Sequence, residues 1–195
     1  VMVLDSQMIG FGASTRNGGM LGSGHKVSVA DAKQHYGSTI ADQLHCEANA
    51  SLAYTKNLIK EHAIDCDLQM CGRLRTAWTP DNFTAMAKAN EDLQNIEAFA
   101  ARMVAPDEMS EHINTPLYFG GLLYEGHASV QPKKLHFGLL QLALKAGVHV
   151  FGEQPVQAVK ASLNGFCIST NGQQIDCQQV LMATNGYTQS KLCAF

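Results

Sequence analysis

Charge is sparse and scattered in this chain: nowhere do more than two like charges stand together, and the net charge is −3. Nucleic-acid binding needs clustered Lys and Arg, so no such partner is expected. No apolar stretch reaches the ~18 residues a membrane-spanning helix needs, so no membrane span is expected either. C-x-x-C is absent, and the nearest cysteine pair, Cys66 and Cys71, has no His partner at zinc-finger spacing. H-x-x-x-H and H-E-x-x-H are absent too, which leaves a metal site without support. The six cysteines (Cys46, Cys66, Cys71, Cys167, Cys177 and Cys193) therefore read as buried thiols of a reducing compartment, and a cytoplasmic location follows. No signal peptide, internal repeat or low-complexity linker is visible. A hydrophobic content of 46% with 16% charged residues places the chain among ordinary globular domains and away from disorder.

A further absence is more pointed. Val1, Val3 and Leu4 form an apolar strand that ends on an acid, Asp5. In a dinucleotide-binding unit, the acid ending the second strand takes the ribose hydroxyls, and the glycine fingerprint for the pyrophosphate lies about 20 residues before it. Nothing precedes Asp5 at that distance here. The expectation is a fragment that begins inside such a unit. Gly10, Gly12 and Thr15 imitate the fingerprint, but six glycines (10, 12, 18, 19, 22 and 24) crowd that segment. Each Gly costs a helix about 1 kcal/mol relative to Ala. Without a helix N-terminus the phosphate-binding mechanism is lost, so a loop is expected.

Residues 30–63 read as one long helix with Tyr36, Ile40, Leu44, Ala48, Leu52 and Ile59 on one stripe, and Gly37 as a place where it breaks. A strand is expected near residues 73–78. Thr79 and Pro80 then open a helix as N-cap and first helical residue. Its stripe is read through Phe83, Met86, Leu93, Ile96, Ala100 and Met103 to a stop at Pro106. Residues 117–124 suit a strand bent at Gly120-Gly121. Pro132 opens another helix and Gly147 caps it, with a short strand at 148–151. Asn164-Gly165 and Asn171-Gly172 are hairpin-type turns between strands at 156–161, 166–170 and 175–177, a three-stranded meander. The apolar run 180–183 is expected as a central strand buried on both faces. The order is α/β with an inserted lobe. Asp5, the glycine loop and the Thr184-Asn185-Gly186 turn all leave strand ends, so they are expected to converge on one crevice.

Those residues carry a resemblance. Gly12-Ala13-Ser14-Thr15-Arg16-Asn17-Gly18-Gly19 resembles the G-A-S-x-R-N-G-G loop of the FAD-dependent D-amino-acid oxidase superfamily, and most of all its branch of amine oxidases similar to gamma-glutamylputrescine oxidase. Pro132-Lys133-Lys134-Leu135, Ala146-Gly147-Val148-His149-Val150 and Ala183-Thr184-Asn185-Gly186-Tyr187 agree with that branch in order. The resemblance implies a Rossmann-like FAD-binding domain of glutathione-reductase type, with the β-meander and an inserted α+β substrate lobe, truncated at both ends. It divides the chain into a first FAD-binding part (residues 1–64), an inserted segment (65–128) and a second FAD-binding part (129–195). By the same resemblance, Asp5 holds the adenosine ribose, although many relatives have Glu there. Ser14, Thr15, Arg16, Gly18 and Gly19 line the pyrophosphate and flavin edge. Val156 meets the adenine through its backbone, and Ala183, Thr184, Asn185 and Gly186 close over the cofactor. Small residues let backbone N–H groups approach phosphates, and Arg16 is a planar multi-donor for them. Some relatives bond the flavin covalently through a histidine of this loop. Arg16 takes that place here, so the FAD is expected to be non-covalent.

The implied activity is oxidation of the C–N bond of a small-molecule amine or amino acid, with hydride passing to the flavin. A dehydrogenase of the same fold with another electron acceptor, and a non-catalytic nucleotide- or partner-binding remnant, stay as alternatives. The sequence names no catalytic residue. Trp78, Tyr118, Phe119 and Tyr124 suit a pocket wall or a core, and His127 suits a base or a solvated loop side chain. Lacking the fingerprint, these 195 residues are expected to hold FAD weakly or not at all. The strand at residues 1–4 is expected to expose an edge through which two copies could pair.

Overall fold

The computed structural model of the protein describes residues 1–94 and 100–188. In chain order its elements are β1 (Met2–Leu4), β2 (Met20–Leu21), α1 (Val29–Tyr36), α2 (Ser38–Glu61), β3 (Arg73–Thr76), α3 (Pro80–Gln94) and β4 (Ala101–Val104). They continue with β5 (Gly121–Tyr124), β6 (Ala128–Ser129), α4 (Pro132–Lys145), β7 (His149–Phe151), β8 (Val156–Ser162), β9 (Gly165–Thr170) and β10 (Gln173–Cys177). The architecture is mixed α/β. The chain divides into two compact units, one formed by Val1–Arg16 with His136–Phe195 and the other by Asn17–Leu135.

In the first unit, β1 and β7 form a parallel pair in the register Met2↔His149 to Leu4↔Phe151. The helix leading into β7 stops as its sequence dictates. Gly147 takes a positive φ of 80°, its N–H donates to Leu144 O, and that of Val148 donates to Ala143 O. That is the paired 5→2 and 6→1 closure of a Schellman cap. Strands β8, β9 and β10 form an antiparallel sheet in the order β10-β9-β8. Asn171 and Gly172, at φ 40° and 78°, make the second turn, both in the left-handed region that a two-residue hairpin of type I′ demands. The first turn sits one residue earlier than expected: Ser162 pairs with Gly165, leaving Leu163 and Asn164 as the loop. Val159 and Thr170 are buried in this sheet, the Thr170 hydroxyl donating to Pro155 O at 2.8 Å.

The apolar run at 180–183 departs from expectation. It forms no strand, and Leu181 is 90% exposed. An apolar run becomes a buried strand only where neighbours supply ladder bonds and covering layers, and among the described residues the parallel sheet consists of β1 and β7 alone.

The second unit holds most of the core. Its three-stranded antiparallel sheet runs β3-β5-β4, with α3 packed on β4 and β5. Leu122, Val104, Ala77 and Met109 are buried there. Helix α3 starts where the sequence placed it, the Asn82 N–H donating to Thr79 Oγ1 at 3.1 Å. Its stripe does not run to Pro106. Ile96 lies outside the described residues, while Met103 stands in β4 opposite Leu122 and Ala100 precedes that strand. Pairing with β5 overrides the helical spacing, which over so few residues also fits a strand. Strand β5 begins only at Gly121, and Leu117 is exposed.

Helices α1 and α2 are separate, broken at Gly37. The break corrects the stripe as well: Tyr36 and Ile40 are exposed, whereas Ala41, His45, Leu52 and Ile59 are buried. Counting through Gly37 carried the phase of one helix into another. The thiols are mostly not buried. Cys66 is, but Cys46 and Cys71 are exposed and Cys167 and Cys177 half-buried; Cys193 lies outside the described residues.

His45 and His127 are buried imidazoles, 6% and 4% exposed. Burial is the main cause that lowers the pKa of each below the ordinary 6.5, joined at His127 by Arg73 and Lys56 and at His45 by His25 and Lys33 against an opposing pull from Asp42. In the native state both rings resist protonation, so the unfolded chain binds more protons once the pH falls below 6.5. Stability is therefore full above that value and is lost as the pH falls toward the lowered native values. Each ring contributes at most about 1.4 kcal/mol per pH unit. The melting temperature should drop between pH 7 and pH 5, and His45→Gln should shallow that slope. An unchanged slope in the variant would remove His45 from this account.

Candidate functional site

Asp5 leaves the C-terminal end of β1, tied by its N–H to Phe151 O at 2.9 Å and by its carbonyl to the Gln154 N–H at 2.8 Å. Its Oδ1 accepts from the Gln7 N–H at 3.0 Å. That bond turns the chain after the strand and fixes the carboxylate at the strand end, with Oδ2 not engaged among the described residues. An acid so placed can accept hydroxyl donors from outside.

The segment after it is a loop. Residues Ala13–Thr15 make a single 3-10 turn and no α-helix, as expected of a glycine-rich stretch. Thr15 is spent on the loop itself: its hydroxyl donates to Gly10 O at 2.5 Å and its N–H to Gly12 O at 3.4 Å. The Arg16 guanidinium is exposed, 4.0 Å from the centroid of the Phe11 ring. No carboxylate among the described residues is within ion-pair distance of it. Arg16 thus presents a planar set of donors to an external anion. Ser14 is exposed on the same turn.

The glycines divide into two kinds. Gly19 has φ 68°, and a Cβ there would lie 2.1 Å from Val130 O. The same carbonyl-to-amide approach carries the bond from Val130 N–H to Gly19 O at 2.9 Å, so Gly19 is demanded by the protein's own packing. At Gly12 and Gly18 a Cβ would meet nothing within 4 Å. Their missing side chains leave open backbone, the form of surface that a phosphate or a flat ring can approach. The residues present therefore fit a nucleotide cofactor in three respects: an anchored carboxylate, a guanidinium with no ion-pair partner among the described residues, and open glycine backbone.

Val156 is the half-buried first residue of β8, opposite Thr170, with a bulge between it and Ala158. Ala183, Thr184, Asn185 and Gly186 are all exposed. Asn185 sits at φ 50° in a turn held by Tyr187 N–H to Thr184 O at 3.1 Å and by the Thr188 hydroxyl to Asn185 O at 2.9 Å. Asp5, Ser14, Thr15, Arg16, Val156 and residues 183–186 belong to the first unit, and Gly18 and Gly19 to the second.

Of the aromatic candidates, Trp78 is exposed and meets Tyr118 edge-on at 4.9 Å, and Phe119 is exposed. Tyr124 stacks on His127 at 4.8 Å. His127 is not a solvated loop histidine: it is buried, with Nε2 accepting from the Ser23 N–H at 3.2 Å. Sequence reading missed two groups. His136, on α4, has a buried Nε2 with no partner among the described residues and lies against Gly10; nothing in its neighbours marks it. Asn49 and Lys56, on α2, share a cavity wall with His127. Their spacing of seven, continued back to Asp42, was a legible polar line on a helix read only for its apolar residues.

Comparison with known proteins bears on this arrangement. Residues 1–194 match the DAO family, FAD dependent oxidoreductase. Among curated relatives, the probable oxidoreductase OrdL of Rhizobium meliloti is 27% identical over 96% of this chain and 44% of its own length. The gamma-glutamylputrescine oxidoreductase of Escherichia coli is 23% identical over 98% of this chain and 45% of its own. The chain thus spans a little under half the length of the curated relatives it matches. In fold it is similar to glycine oxidase from Geobacillus kaustophilus, with a TM-score of 0.72 at 20% identity over 91% of this chain and 46% of that one. It is also similar to an L-amino acid deaminase from Proteus vulgaris, with a TM-score of 0.69 at 16% identity over 92% of this chain and 45% of that one. With a match running through all but its last residue, the chain belongs to the family of FAD-dependent oxidoreductases.

Proposed function

We propose that the intact protein oxidises the C–N bond of a small amine or amino acid, leading to deamination. The observation that carries this is the loop of residues 12–19, with exposed Arg16 beside open glycine backbone, in a chain matched throughout to the FAD-dependent family. The names of the relatives, a gamma-glutamylputrescine oxidoreductase, a glycine oxidase and an L-amino acid deaminase, support a C–N substrate. When bound, FAD supplies the acceptor for the hydride removed from the substrate carbon.

In this reading Asp5 holds the ribose hydroxyls through the oxygen that Gln7 leaves open. Arg16 neutralises the pyrophosphate, and the open backbone at Gly18 admits the flavin edge. Ser14 adds a hydroxyl on the same turn, Thr15 and Gly19 shape the loop, Val156 meets the adenine, and Ala183 to Gly186 close over the cofactor. With Arg16 in place of a histidine, the flavin is bound without a covalent link. Residues 65–128 supply part of a substrate lobe.

Assaying the intact protein for hydrogen peroxide across polyamines, gamma-glutamylated amines and D-amino acids tests the reading. Peroxide with one of these classes is expected. Dye reduction without peroxide would leave a dehydrogenase, and neither signal with any substrate would leave a binding remnant. The 195-residue chain alone is expected to lose its flavin on dialysis, because it contains no strand–G-x-G-x-x-G–helix to hold the pyrophosphate. A yellow chain that survives dialysis would show that Asp5 and the Arg16 loop carry the affinity.

A further inference from the structure

Helix α4 carries His136 against the glycine-rich loop, and both belong to the first unit. A Cβ built on Gly10 would lie 3.1 Å from His136 Cδ2 and Nε2 and 3.2 Å from the Thr15 methyl carbon. The imidazole edge and the Thr15 methyl thus converge on the Gly10 backbone, at a spot that a glycine leaves open. Gly10 also takes a φ of 80°, so the loop turns here in the left-handed region that glycine supplies. Phe137 stands edge-on to the imidazole at 5.3 Å.

Hydrogen bonding does not explain the placement of this ring. His136 Nε2 is buried with no partner among the described residues. A buried polar atom without a partner lowers stability, and an apolar side chain would fill the same space without that penalty. What the imidazole provides is a flat, rigid edge against the Gly10 backbone.

Gly10 and Thr15 clamp the loop. The Thr15 hydroxyl donates to Gly10 O at 2.5 Å. Within the same segment the Phe11 N–H donates to Met8 O at 2.9 Å and the Arg16 N–H to Ala13 O at 3.1 Å. Phe11 follows one side of the clamp and Arg16 the other, and the Arg16 guanidinium lies 4.0 Å from the centroid of the Phe11 ring. A shift of Gly10 is therefore passed through one peptide to Phe11, and through the Thr15 bond to Arg16. The entry to the loop is held elsewhere, the Glu153 N–H donating to Gln7 O at 2.9 Å. His136 bears on the clamp itself.

We propose that His136 is a positioning residue of this loop: its ring edge fixes the Gly10–Thr15 clamp against α4 and so holds Arg16 where it meets the pyrophosphate of the cofactor. The inference rests on the reading of the loop as an FAD-binding element. His136 itself touches no cofactor in it and acts through Arg16.

The test is a double-mutant cycle on FAD affinity in the intact protein, with wild type, Arg16→Ala, His136→Ala and the double variant titrated by flavin fluorescence. A freed loop leaves one long side chain to be ordered on binding, so His136→Ala should raise the Kd about three- to tenfold. In the Arg16→Ala background the same substitution should change nothing further, because the side chain it positions is gone. Equal Kd values for wild type and folded His136→Ala would overturn the proposal. So would a full effect of His136→Ala on top of Arg16→Ala, the mark of a general loosening of the fold. His136→Leu, which loses the flat edge but refills most of the space, carries the same expectations if the alanine variant does not fold.

Hydrogen exchange of the apoprotein separates this proposal from the cofactor reading. The amides of Phe11, Thr15 and Arg16 should exchange severalfold faster in the His136 variant, while those of β8 to β10 keep their wild-type rates. Unchanged loop exchange would overturn the positioning role. A wild-type protein that binds no FAD would end the cofactor reading, and the exchange rates alone would then decide whether His136 holds the loop.

Discussion

Gly19→Ala should lower the melting temperature by about 6–12 °C, the effect of about 3 kcal/mol in a chain of this size. Two terms combine at this position. The φ of 68° is left-handed, where a side chain adds strain of order 1–3 kcal/mol. In addition, the new Cβ would lie 2.1 Å from Val130 O, a backbone atom that cannot swing aside. The chain must move, and with it go the bond from Val130 N–H to Gly19 O and the adjoining Met20↔Ser129 pair of β2 and β6. Gly18→Ala is the control. A Cβ there meets nothing within 4 Å, so its melting temperature should stay at the wild-type value. If the cofactor approaches that backbone, Gly18→Ala should instead weaken FAD binding. Equal melting temperatures for wild type and Gly19→Ala would show that the β2–β6 pairing is not what Gly19 serves.

Arg16→Ala in the intact protein should raise the Kd for FAD by about 10- to 100-fold with little change in melting temperature. Hydrogen bonds to a charged group contribute about 1.5–3 kcal/mol, which corresponds to that range. Structurally, the residue has little to lose. It is exposed, and its contact over Phe11 is of a kind worth about 0.5–1 kcal/mol at such sites. Arg16→Lys should recover only part of the affinity, because a point charge cannot reproduce the planar fork. A fluorescence titration of the apoprotein measures the three constants. An unchanged Kd in a folded Arg16→Ala protein would remove Arg16 from the cofactor contacts.

By itself the sequence determined the local punctuation and the family. Pro80 after Thr79 started α3, Gly37 broke the long helical stretch, Gly147 capped α4, and Asn171-Gly172 turned β9 into β10. Each of these is settled within a few residues, by a fixed φ, a missing Cβ or one side-chain acceptor. The Gly12–Gly19 loop carried the resemblance because its residue types agree in order with the family's loop.

Tertiary structure decided whatever depends on a partner distant in sequence. Residues 101–104 follow a helical spacing as well as an alternating one, and pairing with β5 made them a strand. Residues 180–183 have the composition of a buried strand, yet 181–183 lie exposed and the run pairs with no strand among the described residues. The phase of α2 could be read only once Gly37 had separated it from α1. His127 shows the same dependence at a site: as a sequence it is a histidine in a turn. Its burial, the Ser23 N–H that fixes its tautomer, and the cavity it shares with Asn49 and Lys56 come from segments between 71 and 104 positions away. Burial and protonation are properties of a three-dimensional neighbourhood, and the spacing of residues along a chain does not contain them.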